Sequence, residues 1–248
     1  MLITKSRIRY PQIRSIEGVA GFSLIEMAIV MVILGALLGG LLVSLGATRE
    51  LGQRNEAEAQ IDEILEALYG FAQANGRLPC PATATSNGAE APVGGGNCTQ
   101  RFGFVPSATL GLSGAVNTDG LLTDPWQSAY RYNVTNANGN AFTTAGGMRA
   151  TGMAALAPNL RICTDAACGT VIASTIPAVV VSLGSDWSNF SGADSVENSG
   201  EATVAGYRHA NNLDFASANY IEDVYDDVIA WMSPNLLYSR MISARQLP

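Results

Sequence analysis

The sequence predicts a chain that places one long helix first, short strands after it and a further helix last. Three observations carry that reading. Residues 22–75 are apolar over their first half and amphipathic over their second. From residue 129 onward, short alternating or dense apolar runs are separated by turn residues. Ser233-Pro234 then supplies an N-cap and a first-turn proline for a helix running to about Gln246.

The first element begins with an apolar stretch from Phe22 to Leu45, 24 residues with a single charge, Glu26. At about 1.5 Å per residue, such a helix spans a hydrocarbon layer of about 30 Å. Residues 1–21 hold Lys5, Arg7, Arg9 and Arg14 against Glu17, a net +3, whereas the rest holds ten basic and twenty acidic residues. The basic flank is expected to stay cytoplasmic, which places everything after Leu45 outside the inner membrane. An ordinary secretory signal is the competing reading, with a cut near Ala47, but its apolar region is shorter than this one. An acidic body leaves no basic footprint for duplex nucleic acid.

The helix is expected to continue past the apolar run. Leu51, Ile61, Ile64, Leu65, Leu68 and Phe71 recur at helical spacings, and charged residues occupy the other faces. Asn75-Gly76 with Pro79 beyond is a stop signal. Residues 80–120 read as a long Gly-, Ala-, Asn- and Thr-rich loop. Its triple glycine at 94–96 lacks the Lys-Ser or Lys-Thr of a phosphate-binding loop. Strands are expected over Ala129–Val134, over Pro177–Leu183 as a central strand, and over Val224–Met232.

Gly21-Phe22-Ser23-Leu24-Ile25-Glu26-Met27 resembles the prepilin signature of type IV pilins and type II secretion pseudopilins. That resemblance implies cleavage after Gly21 by a prepilin peptidase and N-methylation of Phe22. It also implies that Glu26 acts in assembly, pairing with the free amine of Phe22 on the same or a neighbouring subunit. A carboxylate in an apolar span needs such a partner, and leaving either charge of a buried pair alone is strongly unfavourable. Ser23 stands where the family usually has Thr, and Val43 where a Pro is often found. Gly35, Gly39 and Gly40 are open to two readings, close helix packing or local melting.

Further segments are similar to minor pilins and pseudopilins: Arg77-Leu78-Pro79-Cys80-Pro81, Leu122-Thr123-Asp124-Pro125-Trp126, Val180–Asp186 and the tail from Asp226-Asp227. Major pseudopilins carry a comparable Asp-Pro-Trp-Gly segment, with Gln127 here in place of the Gly. The implied fold is α+β and pilin-like, a long N-terminal helix on an antiparallel sheet with a short C-terminal helix. The implied organisation is a leader over 1–21, a long helix over 22–75 and a periplasmic head over 76–248. The implied partners are prepilin peptidase, other pilin subunits and an inner-membrane assembly platform. A minor pilin of a pilus filament, anchored first in the inner membrane, is the leading expectation. A type II secretion pseudopilin is the alternative, and an anchored periplasmic binding protein or enzyme, with an uncut leader, is more remote.

In an oxidising periplasm the four cysteines are expected as disulfides. Cys80 and Cys98 flank the loop after the long helix, and Cys163 and Cys168 are close enough to close a hairpin; four cysteines nonetheless allow three pairings. A four-cysteine zinc site is disfavoured, because no Cys-x-x-Cys pair exists. Major pseudopilins bind calcium after the segment that Ser182–Asp186 resembles. Asp186, Asp194 and Glu197, with Glu201, are therefore the candidate calcium ligands on an acidic loop, against the alternative of a plain solvated loop. No other cofactor is expected. The lone His209 and the absence of a Gly-x-Ser-x-Gly elbow or a His-Glu-x-x-His pair give no support for an enzyme.

Overall fold

The computed structural model describes residues 21, 23–190, 192–200, 213–219 and 225–248, without the side chains of 38–48. Its elements in order are α1 (Leu24–Asn75), β1 (Phe102–Phe104), α2 (Ser107–Leu110), β2 (Arg131–Val134), α3 (Ala137–Asn140), α4 (Gly147–Thr151), β3 (Leu160–Cys163), β4 (Val171–Ile176), β5 (Ala178–Ser182), α5 (Ala193–Ser199), β6 (Asp214–Ala216), β7 (Val228–Trp231) and α6 (Pro234–Ser243). The class is mixed α+β, with antiparallel pairing in both sheets.

Two compact units divide the chain, residues 1–48 and 49–248. In the first, the described side chains of α1 from Leu24 to Leu37 are apolar apart from Glu26, and they are exposed. Among the described residues no helix is long and apolar enough to cross a membrane. The expected span reaches into residues whose side chains lie outside the described set.

In the second unit, α1 from Arg49 onward turns one stripe inward. Ala57, Ile61, Ile64, Leu68 and Ala72 repeat at steps of three and four and are at most 1% exposed. The expected stripe was displaced at its start: Leu51 is 58% exposed, and the small Ala57 begins the buried face instead. The helix ends as its sequence predicts, since Gly76 adopts φ +67° and its N–H bonds the Ala72 carbonyl.

That stripe packs on a four-stranded sheet of order β1-β2-β5-β7, antiparallel throughout. Ala178 and Val180 of β5 face the helix with Tyr132 and Val134 of β2, while Val179 and Val181 face the opposite way. The opposite face is covered by a second sheet, β4-β3-β6, through Leu160, Ile162, Ile176 and Phe215. Burial on both faces explains why Ala-Val-Val-Val is a continuous apolar run instead of an alternation. This second sheet departs from the single antiparallel sheet expected, because β3 and β6 run parallel. Its strands are short and irregular in register, so they left little periodic signal.

The loop after α1 is organised from within. Arg77 forms a two-pronged pair with Glu90 at 2.7 Å for both contacts, and Glu90 also accepts from the Cys80 and Gly94 N–H groups. Burial pushes the Glu90 carboxyl up, but Arg77 and the two N–H groups outweigh it and hold it below the usual carboxylate range. A disulfide joins Cys80 to Cys98 across the same loop, and a second joins Cys163 to Cys168 at the end of β3.

At the other end, Ser233 caps α6 by accepting from the Leu236 N–H, and Pro234 occupies its first turn. The helix stops at Ser243, three residues before the expected end, and Leu237, Met241 and Leu247 enter the core beside α1. Arg240 pairs with Glu66 at 2.6 and 2.9 Å and lies over the Tyr69 ring.

Leu68→Ala is expected to cost about 2–5 kcal/mol of stability by opening a cavity under the sheet, whereas Leu51→Ala should stay within about 0.5 kcal/mol. Urea unfolding of the two variants measures both.

Candidate functional site

Two places in the chain carry candidate functional residues, the start of α1 and an acidic cluster at the end of β5. At the first, Gly21 has an open backbone, and a Cβ placed there would meet nothing within 4 Å. Ser23 stands just before the helix and its Oγ accepts from the Glu26 N–H at 3.2 Å. Ser-x-x-Glu at a helix start is a capping-box pattern, and its carboxylate complements the positive helix end. Glu26 therefore has a local role in starting α1 that the motif reading did not include. Its side chain is exposed. The expected partner, the amine of Phe22, lies outside the described residues, as do residues 1–20, Glu201 and His209.

The acidic cluster is built from three loops and one short helix. Asp124 opens the turn Asp124-Pro125-Trp126-Gln127, closed by a bond from the Gln127 N–H to the Asp124 carbonyl. Its Oδ1 accepts from the Trp126 and Ser128 N–H groups, and its Oδ2 accepts from Ser182 Oγ at 2.6 Å. Gln127 has φ +70°, a left-handed conformation that suits glycine. The position where the resembled segment carries Gly is thus one whose backbone asks for it.

After β5 the chain turns through Gly184 at φ +65°, and Ser185 donates to Asp226 Oδ2 through both its N–H and its Oγ. A Cβ at residue 184 would fall 2.3 Å from the Asp226 carboxyl carbon, so the close approach requires glycine. Asp227 Oδ2 accepts from Asn198 Nδ2 at 2.7 Å. A carboxylate oxygen from each of Asp186, Asp226 and Asp227 lies within 4.8 Å of the other two.

Of the expected calcium ligands among the described residues, only Asp186 joins this group. Asp194 and Glu197 lie on α5, not on an open loop, and Asp194 Oδ1 accepts from the Ala166 N–H at 2.7 Å. Asp226 and Asp227 come from just before β7, shorter at its start than the expected strand, and their distance in sequence hid them from a reading of one acidic loop. A second convergence, Cys163, Cys168 and Asp214, offers no thiolate, because the sulfurs are bonded to each other and Asp214 pairs with Arg161 at 2.6 Å.

Burial is the largest influence on Asp227 and Asp124. It pushes the Asp227 carboxyl well above the usual range, with Asn198 opposing and the charges of Asp186, Asp226 and Asp194 adding to the rise. Burial likewise raises Asp124 to about 6, against its bonds from Ser182, Ser128 and Trp126. Comparison with protein-family models, with curated proteins and with solved structures finds no match.

Replacing Gln127 by Gly should raise stability by about 1 kcal/mol through relief of the left-handed backbone, a rise of roughly 2–4 °C in the unfolding midpoint. A carboxyl raised in the folded state favours folding most fully below its unfolded pKa of about 4, and that contribution is lost as pH rises through about 6. With chelator present, thermal unfolding from pH 4 to 7 should therefore show falling stability, by roughly 2 kcal/mol for Asp124 alone. Asp124→Asn should remove that share and leave the part due to Asp227.

Proposed function

We propose that this chain is a structural subunit of a type IV pilus-like filament, a minor pilin assembled from the inner membrane after cleavage between Gly21 and Phe22. The reading rests on one observation above the others. The sequence Gly21-Phe22-Ser23-Leu24-Ile25-Glu26 stands at the start of a helix whose described first turns expose apolar side chains on every side, Leu24 at 93% and Val32 at 72%. A helix apolar all round asks for lipid or for like helices. Such a segment serves first as an anchor and then as the core of a filament, with Glu26 setting register against the new amine of a neighbour. The pilin-like arrangement, a long helix carrying a sheet-bearing head with a short helix at its end, agrees with the packing of α1 residues 57–72 and of α6. The two disulfides suit a periplasmic head.

A pseudopilin of a type II secretion system is the second reading, favoured by the Asp124-Pro125-Trp126 turn with its left-handed fourth residue. Loss of surface filaments on deletion supports the first, and loss of exoprotein secretion supports the second. Neither reading assigns a catalytic group.

The mass of the mature amino terminus tests both. The expected product begins at Phe22 and carries one added methyl group. An intact Met1, or a cut near Ala47, would sink the proposal. Glu26→Ala should be processed at Gly21 yet be missing from the sheared filament fraction, as read by immunoblot.

A further inference from the structure

The loop after α1 and the turn after β2 meet around a pocket of about 410 Å³, open on one side. That volume lies within the range of small-molecule sites, about 300–1,000 Å³. Phe102 of β1 and Gln100 just before it line the pocket, with Asn136 after β2, Asn97 and Thr99 from the loop, and Asn140 at the end of α3.

The walls are fixed. Cys98 stands between Asn97 and Thr99, and its disulfide to Cys80 anchors both. Thr143 ties the loop to the turn: its Oγ1 donates to the Gly96 carbonyl at 2.7 Å, and its own carbonyl accepts from the Gly96 N–H at 2.8 Å. Arg101 Nη1 donates to Asn136 Oδ1 at 3.0 Å and holds that side chain at the rim. A pocket built in this way needs little further ordering when a ligand enters.

The groups left for a ligand are uncharged. Among the described residues no carboxylate lines the pocket, and its one cation, Arg101, is engaged with Asn136. Asn97 Nδ2 and Asn136 Nδ2 are donors that make no hydrogen bond among the described residues, and Gln100 Oε1 and Asn140 Oδ1 are acceptors that receive none. Thr99 Oγ1 can act as either. Phe102, half-buried, adds an apolar part to the wall. An apolar molecule would leave these amides unpaired, and an anion would meet acceptors as well as donors. A sugar ring carries hydroxyl groups on adjacent carbons that both donate and accept, and it has C–H faces for an apolar wall.

We infer that this pocket binds a neutral saccharide, with one ring seated among Asn97, Thr99, Gln100, Asn136 and Asn140. The site belongs to the head and does not depend on the filament reading, so an uncut leader would leave it untouched.

The test uses the full chain in a detergent without a sugar headgroup. Saturation-transfer NMR is recorded with glucose, galactose, mannose and N-acetylglucosamine, and separately with glucuronic acid. Expected is saturable transfer from at least one neutral sugar, with a Kd on the order of 1 mM for a single ring. Preference for N-acetylglucosamine would identify cell-wall glycan as the source, and preference for a plain hexose a surface polysaccharide or free sugar; either supports the inference. Asn97 and Thr99 are exposed, so their variants should fold. Asn97→Ala and Thr99→Ala should each weaken binding by about two- to tenfold through loss of a hydrogen bond, while Asn235→Ala on α6 leaves it unchanged. Thr99→Trp should fill the opening and abolish binding with the unfolding midpoint unmoved. Absence of saturable transfer from every neutral sugar at tens of millimolar would overturn the inference. So would transfer that survives Thr99→Trp, which would place the sugar elsewhere, or transfer from glucuronic acid alone, which would make the ligand an anion held by Arg101.

Discussion

Burial of one face of α1 is the constraint on which the rest of the head depends. The stripe from Ala57 to Ala72 packs on one face of the sheet made by β2, β5 and β7, and α6 and Leu247 close the same core. Small residues at both ends of the stripe let backbones approach, while Ile61, Ile64 and Leu68 fill the middle. The polar ties are fixed by the same contact. Tyr130 Oη reaches Gln60 at 2.6 Å, and Tyr69 Oη accepts from the Ser233 N–H at 2.9 Å. Each satisfies a group that would otherwise be buried alone. The second sheet is then a consequence of β5, whose other face must also be covered.

The buried charges fall into two kinds. Arg77 and Glu90 are a closed account: a two-pronged pair, two further N–H donors and a disulfide next to them. Removing either partner of such a pair would leave an uncompensated charge, at a cost of about 3–5 kcal/mol. The acids near Gly184 lack that closure. Their hydrogen bonds satisfy one oxygen of Asp226 and one of Asp227 and leave the other bare. The contrast between two acidic groups of similar burial, one matched and one not, gives the cluster its chemical interest.

What could be read from the sequence follows the strength of local signals. The end of α1 was legible because Asn75-Gly76 is a strong stop, and α6 because Ser233-Pro234 is a strong start. β5 was legible as a dense apolar run. β1 was hidden inside a glycine-rich stretch, since Phe102-Gly103-Phe104 owes its strand pairing to β2. β3, β4 and β6 were hidden because short strands carry few periods to detect. At the acidic site, Asp186 was found through its neighbours in sequence. Asp226-Asp227 was marked in the sequence only as the start of a pilin-like tail, and its convergence with Asp186 was found in space, because nothing local ties two acids before a strand to a turn forty residues earlier. The capping role of Ser23 was visible in principle, as Ser-x-x-Glu, but was overshadowed by the longer motif that contains it.

The packing of Leu247, 3% exposed, against a core that begins at Ala57 has a bearing on how the head comes into being. Residues nearly two hundred positions apart must meet before the core is closed. During synthesis, or passage through a narrow pore in the amino-to-carboxyl direction, the apolar face of α1 emerges long before Met241 and Leu247 arrive to cover it. Until then that face is open to chaperones, to bilayer or to other chains. Disulfide closure between Cys80 and Cys98 can precede this event, whereas closing the core cannot. The order of emergence thus makes the last helix the timer of the head's maturation, and a nascent chain held short of residue 241 would keep an uncovered, adhesive helix.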